Sequence, residues 1–375
     1  MIGIVPFFSI PAIIDGFGRN VWVKLVVFQT IGQILATFVE LSWNSTGLSR
    51  VVLTNDRRIF LSCFRQKSSI FIALTMFFLT FLLIAFPINY KSIFVFSSLI
   101  YSISLGLSNS WAWIGKEQNA KYIKFEALPR ILSGIIFLPL VYSGNFLLGS
   151  IYFFLLMIVN WSTSFMPINL FCRFSNRVHS ESLQMELKFG ITRLIQTVYF
   201  SSFLPLHTFL GGTNLFEVAM YDRIYRLTQS LVNPLSQFLS SQLLISKSTF
   251  IRKIIALALL NVLYIFLYFL MCFSLISRLL FKESLVLSLI FILYLVLGVL
   301  VRSNTFIGNL YLFKKDLNNY YIFLGLLCSF IFIVLAFPFS KSYGFEGILY
   351  NAILAEGFFF VGLIVLKRSK KIIKW

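Results

Sequence analysis

Histidine is almost absent from this sequence and acids are few: 2 His and 13 Asp or Glu stand among 375 residues, against 32 Lys or Arg. No nucleophile–base pair and no cluster with metal-ligand spacing can be traced, so an enzyme is not expected, and neither a metal nor a cofactor is implied. His179 falls in a loop and His207 at the end of an apolar run, where surface or interface roles are the simpler reading. The four cysteines, Cys63, Cys172, Cys272 and Cys328, are scattered, and two of them interrupt apolar runs. That pattern argues against a disulfide framework and against a zinc site. The first residues carry no basic stretch and no A-x-A-like site, so no cleavable signal is expected. Long loops are missing too. No gap between apolar runs exceeds about 25 residues, which is too short for a folded extramembrane domain.

What is present is apolar surface. Hydrophobic residues make up 58% of the chain, charged residues only 12%, and the mean hydropathy is +0.88; an ordinary soluble domain carries roughly 25% charged residues. These values predict an all-α integral membrane protein. Apolar segments of crossing or near-crossing length fall at Ile2–Ile14, Val21–Trp43, Ser69–Ile88, Ile93–Trp113, Ala127–Val141, Phe146–Met166, Phe189–Leu210, Phe216–Ile245, Ile254–Ile276, Leu285–Phe313, Tyr320–Phe339 and Gly347–Leu366. About twelve transmembrane helices are therefore expected. The first is short: from Met1 to Ile14 a helix rises about 21 Å at 1.5 Å per residue, below the roughly 30 Å hydrocarbon core, and Pro6 and Pro11 interrupt it. Either the true start lies upstream or this segment spans only partly.

The net charge of +19 resides in short gaps rather than in one basic patch, which excludes a nucleic-acid partner. Gaps after alternate spans hold 22 Lys or Arg and the opposite gaps hold 6, so both termini are expected on the cytoplasmic side. Lys67 and Arg130 are counted among those loop cations. Four arginines remain within spans: Arg193, Arg223, Arg226 and Arg302. Each costs roughly 2.5–3.5 kcal/mol at mid-membrane on insertion scales, so they should face protein or a watery cavity rather than lipid.

The segment VAMYDRIYRLTQSLVNPLSQFLSSQ, Val218–Gln242, concentrates that polarity. At about 100° per residue, Asp222, Arg226, Gln229, Asn233, Ser236, Gln237 and Ser240 fall in a stripe roughly 100° wide. Met220, Ile224, Leu227, Leu231, Leu235 and Phe238 lie opposite. A plain account of the stripe is inter-helix hydrogen bonding with an Asp222–Arg226 i,i+4 pair; its length of some five turns suits a cavity wall. Gln29, Gln33, Thr37 and Glu40 repeat the spacing 200 residues earlier. Two matched polar helices suggest parallel repeats, residues 1–180 with helices 1–6 and residues 181–375 with helices 7–12, with both seams toward a central cleft.

Such a cleft, with Arg223, Arg226, Arg193 and Lys24 among its residues, favours an anion, and the planar guanidinium is matched to phosphate. Gln29, Gln33, Gln229, Asn233 and Gln237 are candidates for hydrogen bonds to sugars. Arg302, with Thr305 and Asn309 at i+3 and i+7, forms a shorter polar face that equally suits snorkelling at the interface. Asp222, Glu40, Glu217 and Glu356 are read as counter-ions or as groups able to take up a coupling proton or Na⁺, with structural pairing the simpler account of each and Asp222, beside Arg226, the first choice for coupling.

The stretch WAWIGKEQNAKYIKFEALPRI, Trp111–Ile131, is similar to the W-x-x-x-G-x-E segment and basic helix start of Wzx-type polysaccharide flippases, in the multidrug/oligosaccharidyl-lipid/polysaccharide exporter superfamily. Trp111, Gly115, Glu117 and Arg130 occupy that pattern, and Ile114 stands where a Gln is common. The Val218–Gln242 segment resembles the opening of that family's second half. IPAIIDGFGRNVWVKL resembles its first, with Asp15 where an Arg is usual. The resemblance implies a MATE-like fold of two six-helix lobes in the bacterial cytoplasmic (inner) membrane. It also implies alternating access and translocation of undecaprenyl-pyrophosphate-linked oligosaccharide repeat units, O-antigen or capsule. The implied partners are the polyprenyl-pyrophosphate-linked glycan and membrane lipid, with a polysaccharide polymerase and a chain-length regulator as further candidates.

Two rivals remain. A cation-coupled drug exporter of the same superfamily would want acids rather than arginines in the cleft. A membrane-embedded polymerase would present a large outer loop, and an acyltransferase a membrane histidine.

Overall fold

The computed structural model describes residues 9–40, 43, 57–85, 89–115, 118–170, 201–245, 250–273, 275–282, 288–312 and 315–369. Every regular element among them is helical. The chain divides into two compact units, Ile2–Pro205 and Leu206–Trp375. The boundary expected near residue 180 falls in 171–200, outside the described residues.

The first unit contains α1 (Ile10–Phe17), α2 (Arg19–Glu40), α3 (Arg57–Ala85) and α4 (Tyr90–Ser104), the last continued by a 3₁₀ turn at Leu105–Leu107. There follow α5 (Ser110–Gly115), α6 (Asn119–Tyr122), a π-helical turn at Ile123–Ala127, α7 (Leu128–Ile136), α8 (Pro139–Tyr142) and α9 (Phe146–Phe165). Local chemistry sets several of these ends. Gly18 stops α1 at a φ of 84°, a conformation that strains any residue with a Cβ. Asn89 starts α4 with a capping box: its Oδ1 accepts from Ser92 N at 2.8 Å, and Asn89 N donates to Ser92 Oγ at 3.1 Å. Asn145 caps α9 by accepting from Leu147 N at 2.8 Å.

Helix α2 packs along α4. Small residues let the two approach: a Cβ added to Gly32 would sit 2.6 Å from Ser102 Cβ and 2.8 Å from the Leu99 carbonyl oxygen. Lipid gives helices no hydrophobic reason to associate, so close backbone packing of this kind is what holds membrane helices together. Val39, Phe71, Phe96, Leu99, Ile100, Ile103 and Leu107 fill the space beside that contact.

The division between the units falls within α10 (Phe203–Phe209). The second unit then contains α11 (Leu215–Ile245), α12 (Phe250–Phe273), α13 (Leu275–Phe281), α14 (Leu289–Leu312) and α15 (Lys315–Ser369). Helix α15 is broken at Gly344, whose φ of 62° and ψ of −136° are not helical, and the break separates the two spans expected at Tyr320–Phe339 and Gly347–Leu366. Its apolar part, Phe323–Val365, has 43 residues, about 64 Å of helix at 1.5 Å per residue, twice the roughly 30 Å of a hydrocarbon core.

Seven helical stretches among the described residues are long and apolar enough to cross a membrane, Arg19–Glu40 and Leu289–Ile307 among them. The chain is a multi-pass membrane protein. Its outer surface agrees with that: Ile251, Ile254, Ile255, Leu259, Val262 and Phe266 of α12 are exposed in one stripe at helical spacing. In water such a stripe would drive aggregation, whereas facing acyl chains each such residue contributes roughly 0.3–0.6 kcal/mol to insertion.

Candidate anion-binding site

Helix α11 carries its polarity inward. Asp222 is fully buried, Arg223 is 3% exposed and Gln229 9%, and the Arg226 side chain retains 16%. Neither arginine faces the lipid. Arg226 Nε donates to Asp222 Oδ2 at 2.7 Å across one helical turn, the i,i+4 pair that the spacing predicts. Met220, Ile224 and Leu227, on the opposite face, are also buried, while Leu235, two turns further along, is 46% exposed. The apolar face therefore meets other helices over its first turns and lipid only later.

Arg302 of α14 joins this set. It is 1% exposed, so it does not snorkel to an interface. Its Nη2 donates a short hydrogen bond to Gln229 Oε1, and Gln229 Nε2 in turn donates to the Gly298 carbonyl at 3.4 Å. The guanidinium lies 5.3 Å from the centre of the Tyr264 ring on α12, where a desolvated cation–π contact contributes about 2 kcal/mol. Its Nε and Nη1 are buried without a hydrogen-bond partner among the described residues. No acid is ion-paired to it among those residues. Tyr225 and Tyr294 pack at 5.2 Å between centroids, and the hydroxyl of Tyr264 is buried without a hydrogen-bond partner among the described residues. Among the described residues the interior of this unit thus holds three arginines, Arg223, Arg226 and Arg302, against two acids, Asp222 paired with Arg226 and Glu356, with tyrosine hydroxyls nearby, a setting with an excess of donors that suits an anion.

Other expected residues stand elsewhere in the chain. On α2, Gln29 is buried, Gln33 and Glu40 are half-buried, Lys24 is exposed, and Thr37 Oγ1 donates to the Gln33 carbonyl at 3.2 Å. Glu217 at the start of α11 is half-buried. Arg193 and the motif residue Glu117 lie outside the described residues, as do the side chains of Asn233, Gln237 and Asn309. His207 is not a surface residue: it is 4% exposed, hydrogen-bonds through Nε2 to the Thr213 carbonyl at 2.9 Å, and packs 4.9 Å from Phe345.

Two cations counted as loop charges prove to be interior. Lys67 of α3 is fully buried, and its Nζ donates to the Ser108 carbonyl at 2.7 Å. Arg130 of α7 is 2% exposed: Nη2 pairs with Glu126 Oε1 at 3.1 Å, Nε donates to Thr163 Oγ1 at 2.8 Å, and Nη2 reaches the Asn160 carbonyl at 3.2 Å. Glu126 also accepts from Ser108 Oγ at 2.7 Å and Trp113 Nε1 at 3.0 Å. Trp111 donates to Asn109 Oδ1 at 3.1 Å and stacks on Trp43 at 5.6 Å. The Trp111–Ile131 stretch therefore acts as a brace joining α3, α5, α7 and α9. Glu126, its hub, gave no signal in sequence beyond standing four residues before an arginine.

A second interior acid is one of the four weighed in the sequence. Glu356 of α15 is 7% exposed, and Asn304 of α14 donates through Nδ2 to both its Oε2 and its carbonyl, the latter at 3.0 Å.

Such a molecule belongs to the class of all-helical, multi-pass membrane proteins with polar side chains kept at the centre of their helix bundles. No family of known proteins matches the chain, and no curated protein matches it. Among solved structures it is similar to the lipid II flippase MurJ in its inward closed conformation, with a TM-score of 0.51 and 15% identity over 98% of this chain and 87% of that one. The likeness extends over nearly the whole of both chains and identifies the fold.

Proposed function

We propose that this protein is a flippase that moves a polyprenyl-pyrophosphate-linked oligosaccharide, an O-antigen or capsule repeat unit, across the bacterial cytoplasmic membrane by alternating access. The observation that carries this reading is the near-complete overlap with a lipid II flippase, which supports a lipid-linked substrate. The sugar class rests on the resemblance of Trp111–Ile131 to polysaccharide flippases.

The chemistry of α11 and α14 fits the part of such a substrate that most resists a bilayer. A pyrophosphate cannot cross hydrocarbon without losing its hydration, and arginine replaces water with paired N–H donors while staying charged. Arg226, the more exposed of the pair on α11, meets the pyrophosphate, and Arg223 adds to the local positive field. Gln29, Gln33 and Gln229 offer amides to the sugars. The prenyl tail remains in lipid throughout. An exporter of cations would need the opposite balance of charge from three arginines against two acids, one of which is already paired with an arginine.

The test is Arg226→Ala in cells whose surface glycan depends on this protein. Losing a charge-assisted contact costs about 1.5–3 kcal/mol, so export falls roughly ten- to a hundredfold. Arg226→Lys, which keeps the charge and loses the fork, falls between. Normal surface glycan in Arg226→Ala, with the protein at normal level in the membrane, removes the proposal.

A further inference from the structure

Three acids are buried among the described residues: Glu126, Asp222 and Glu356. Two of them have an arginine, Glu126 with Arg130 at 3.1 Å and Asp222 with Arg226 at 2.7 Å. Glu356 has none. Its side-chain partner is a neutral amide, Asn304 Nδ2. The titratable groups whose electrostatic reach includes it are Tyr225 of α11 and Cys328, earlier on α15, side chains that are ordinarily neutral near pH 7. An isolated carboxylate inside a membrane protein is costly unless it is paired or neutralised, and among the described residues no cation pairs with Glu356.

Asn304 has a second unusual feature. Its Oδ1 is buried without a hydrogen-bond partner among the described residues, in a side chain only 3% exposed. The amide therefore offers both kinds of contact. Its N–H donates to Oε2 while Glu356 is ionised, and after rotation of the amide its free oxygen accepts the O–H of the protonated acid. A paired acid such as Asp222 has no such choice, because protonating it would strand Arg226.

We propose that Glu356 is the site that takes up and releases a proton during the transport cycle, with Asn304 as the positioning residue that satisfies both of its states. One proton from solution adds to one carboxyl oxygen and later leaves to solution, with no other bond made or broken. The coupling role rests on the proposed transport reading; the protonation itself does not.

The experiment is infrared difference spectroscopy of the purified full chain in phosphatidylethanolamine–phosphatidylglycerol vesicles, with no glycan present, comparing buffers on either side of neutrality. A pH-dependent carboxylic-acid carbonyl band is expected in the native chain. It should be absent in Glu356→Gln, displaced in Glu356→Asp and retained in Asp222→Asn. Should Glu356→Gln fail to insert, the displacement in Glu356→Asp decides. A band that persists in Glu356→Gln, or the absence of any such band in the native chain, overturns the site. In cells, Glu356→Gln should lower glycan export at least tenfold. Coupling is overturned if export stays at the native level in Glu356→Gln while Arg226→Ala abolishes it. If Arg226→Ala leaves export intact and the band still follows Glu356, the transport reading fails and the proton site stands.

Discussion

Arg302 shows how one cation is kept inside a membrane protein with no acid ion-paired to it among the described residues. Its guanidinium lies over the face of Tyr264, it donates a hydrogen bond to the Gln229 amide, and the Tyr264 hydroxyl lies against Gly298 because nothing larger leaves it room. A Cβ at Gly298 would overlap that hydroxyl and the ring behind it, so the ring must leave the guanidinium or the helices must part. Overpacking of this kind typically costs about 1–3 kcal/mol. Gly298→Ala should therefore lower the thermal unfolding midpoint of the detergent-solubilised protein. Gly357→Ala, where an added Cβ meets nothing within 4 Å, should leave it unchanged. Equal midpoints for the two variants would remove Tyr264 as the support of Arg302. At this scale the sequence exposed half of the arrangement. An arginine in an apolar run is conspicuous because hydrocarbon cannot solvate it, but Tyr264 looks like any aromatic in a lipid-facing run, and only the packing of α12 against α14 brings the two together.

The same asymmetry holds for whole helices. The polar stripe of α11 was legible, because a run of polar side chains at 3.6-residue spacing has to be buried on one side, and the Asp222–Arg226 pair follows from a spacing of four. Counting charges misplaced Lys67 and Arg130, since that rule treats a cation near a span's end as solvated and cannot see a neighbouring helix closing over it. The π-helical turn at Ile123–Ala127 is part of the reason. It lies between α6 and α7 and contains Glu126, the partner of Arg130. Breaking a buried ion pair by removing one partner costs about 3–5 kcal/mol, because the other charge is left behind. Glu126→Gln and Arg130→Met should each destabilise the solubilised protein by that order. The double variant should lose less than the sum of the two, read as a coupling in a double-mutant cycle of unfolding midpoints. Strict additivity would mean that the brace is hydrogen bonding alone and that the ion pair contributes nothing.

For the molecule as a whole, the fold class followed from composition and the long apolar runs, since a chain so poor in charge has no soluble way to satisfy its backbone and only helices or closed barrels span a bilayer. The direction in which each helix crosses is a separate matter, decided by loop cations and not by packing. The excess of Lys and Arg predicts that the gaps holding Lys282 and Lys341 lie outside and those holding Lys247 and Lys367 inside. Substituted-cysteine labelling tests this directly, and the chain lends itself to it, because the thiols of Cys63, Cys272 and Cys328 are buried and only Cys172 needs replacing as a precaution. With a membrane-impermeant maleimide added to intact cells, Lys282→Cys and Lys341→Cys should label strongly, while Lys247→Cys and Lys367→Cys should label only after the membrane is opened. The reverse pattern would place both termini outside and turn the Arg226 end of α11 from the outer half of the bilayer to the inner. A pyrophosphate delivered from the cytoplasm would then meet that arginine earlier in its passage.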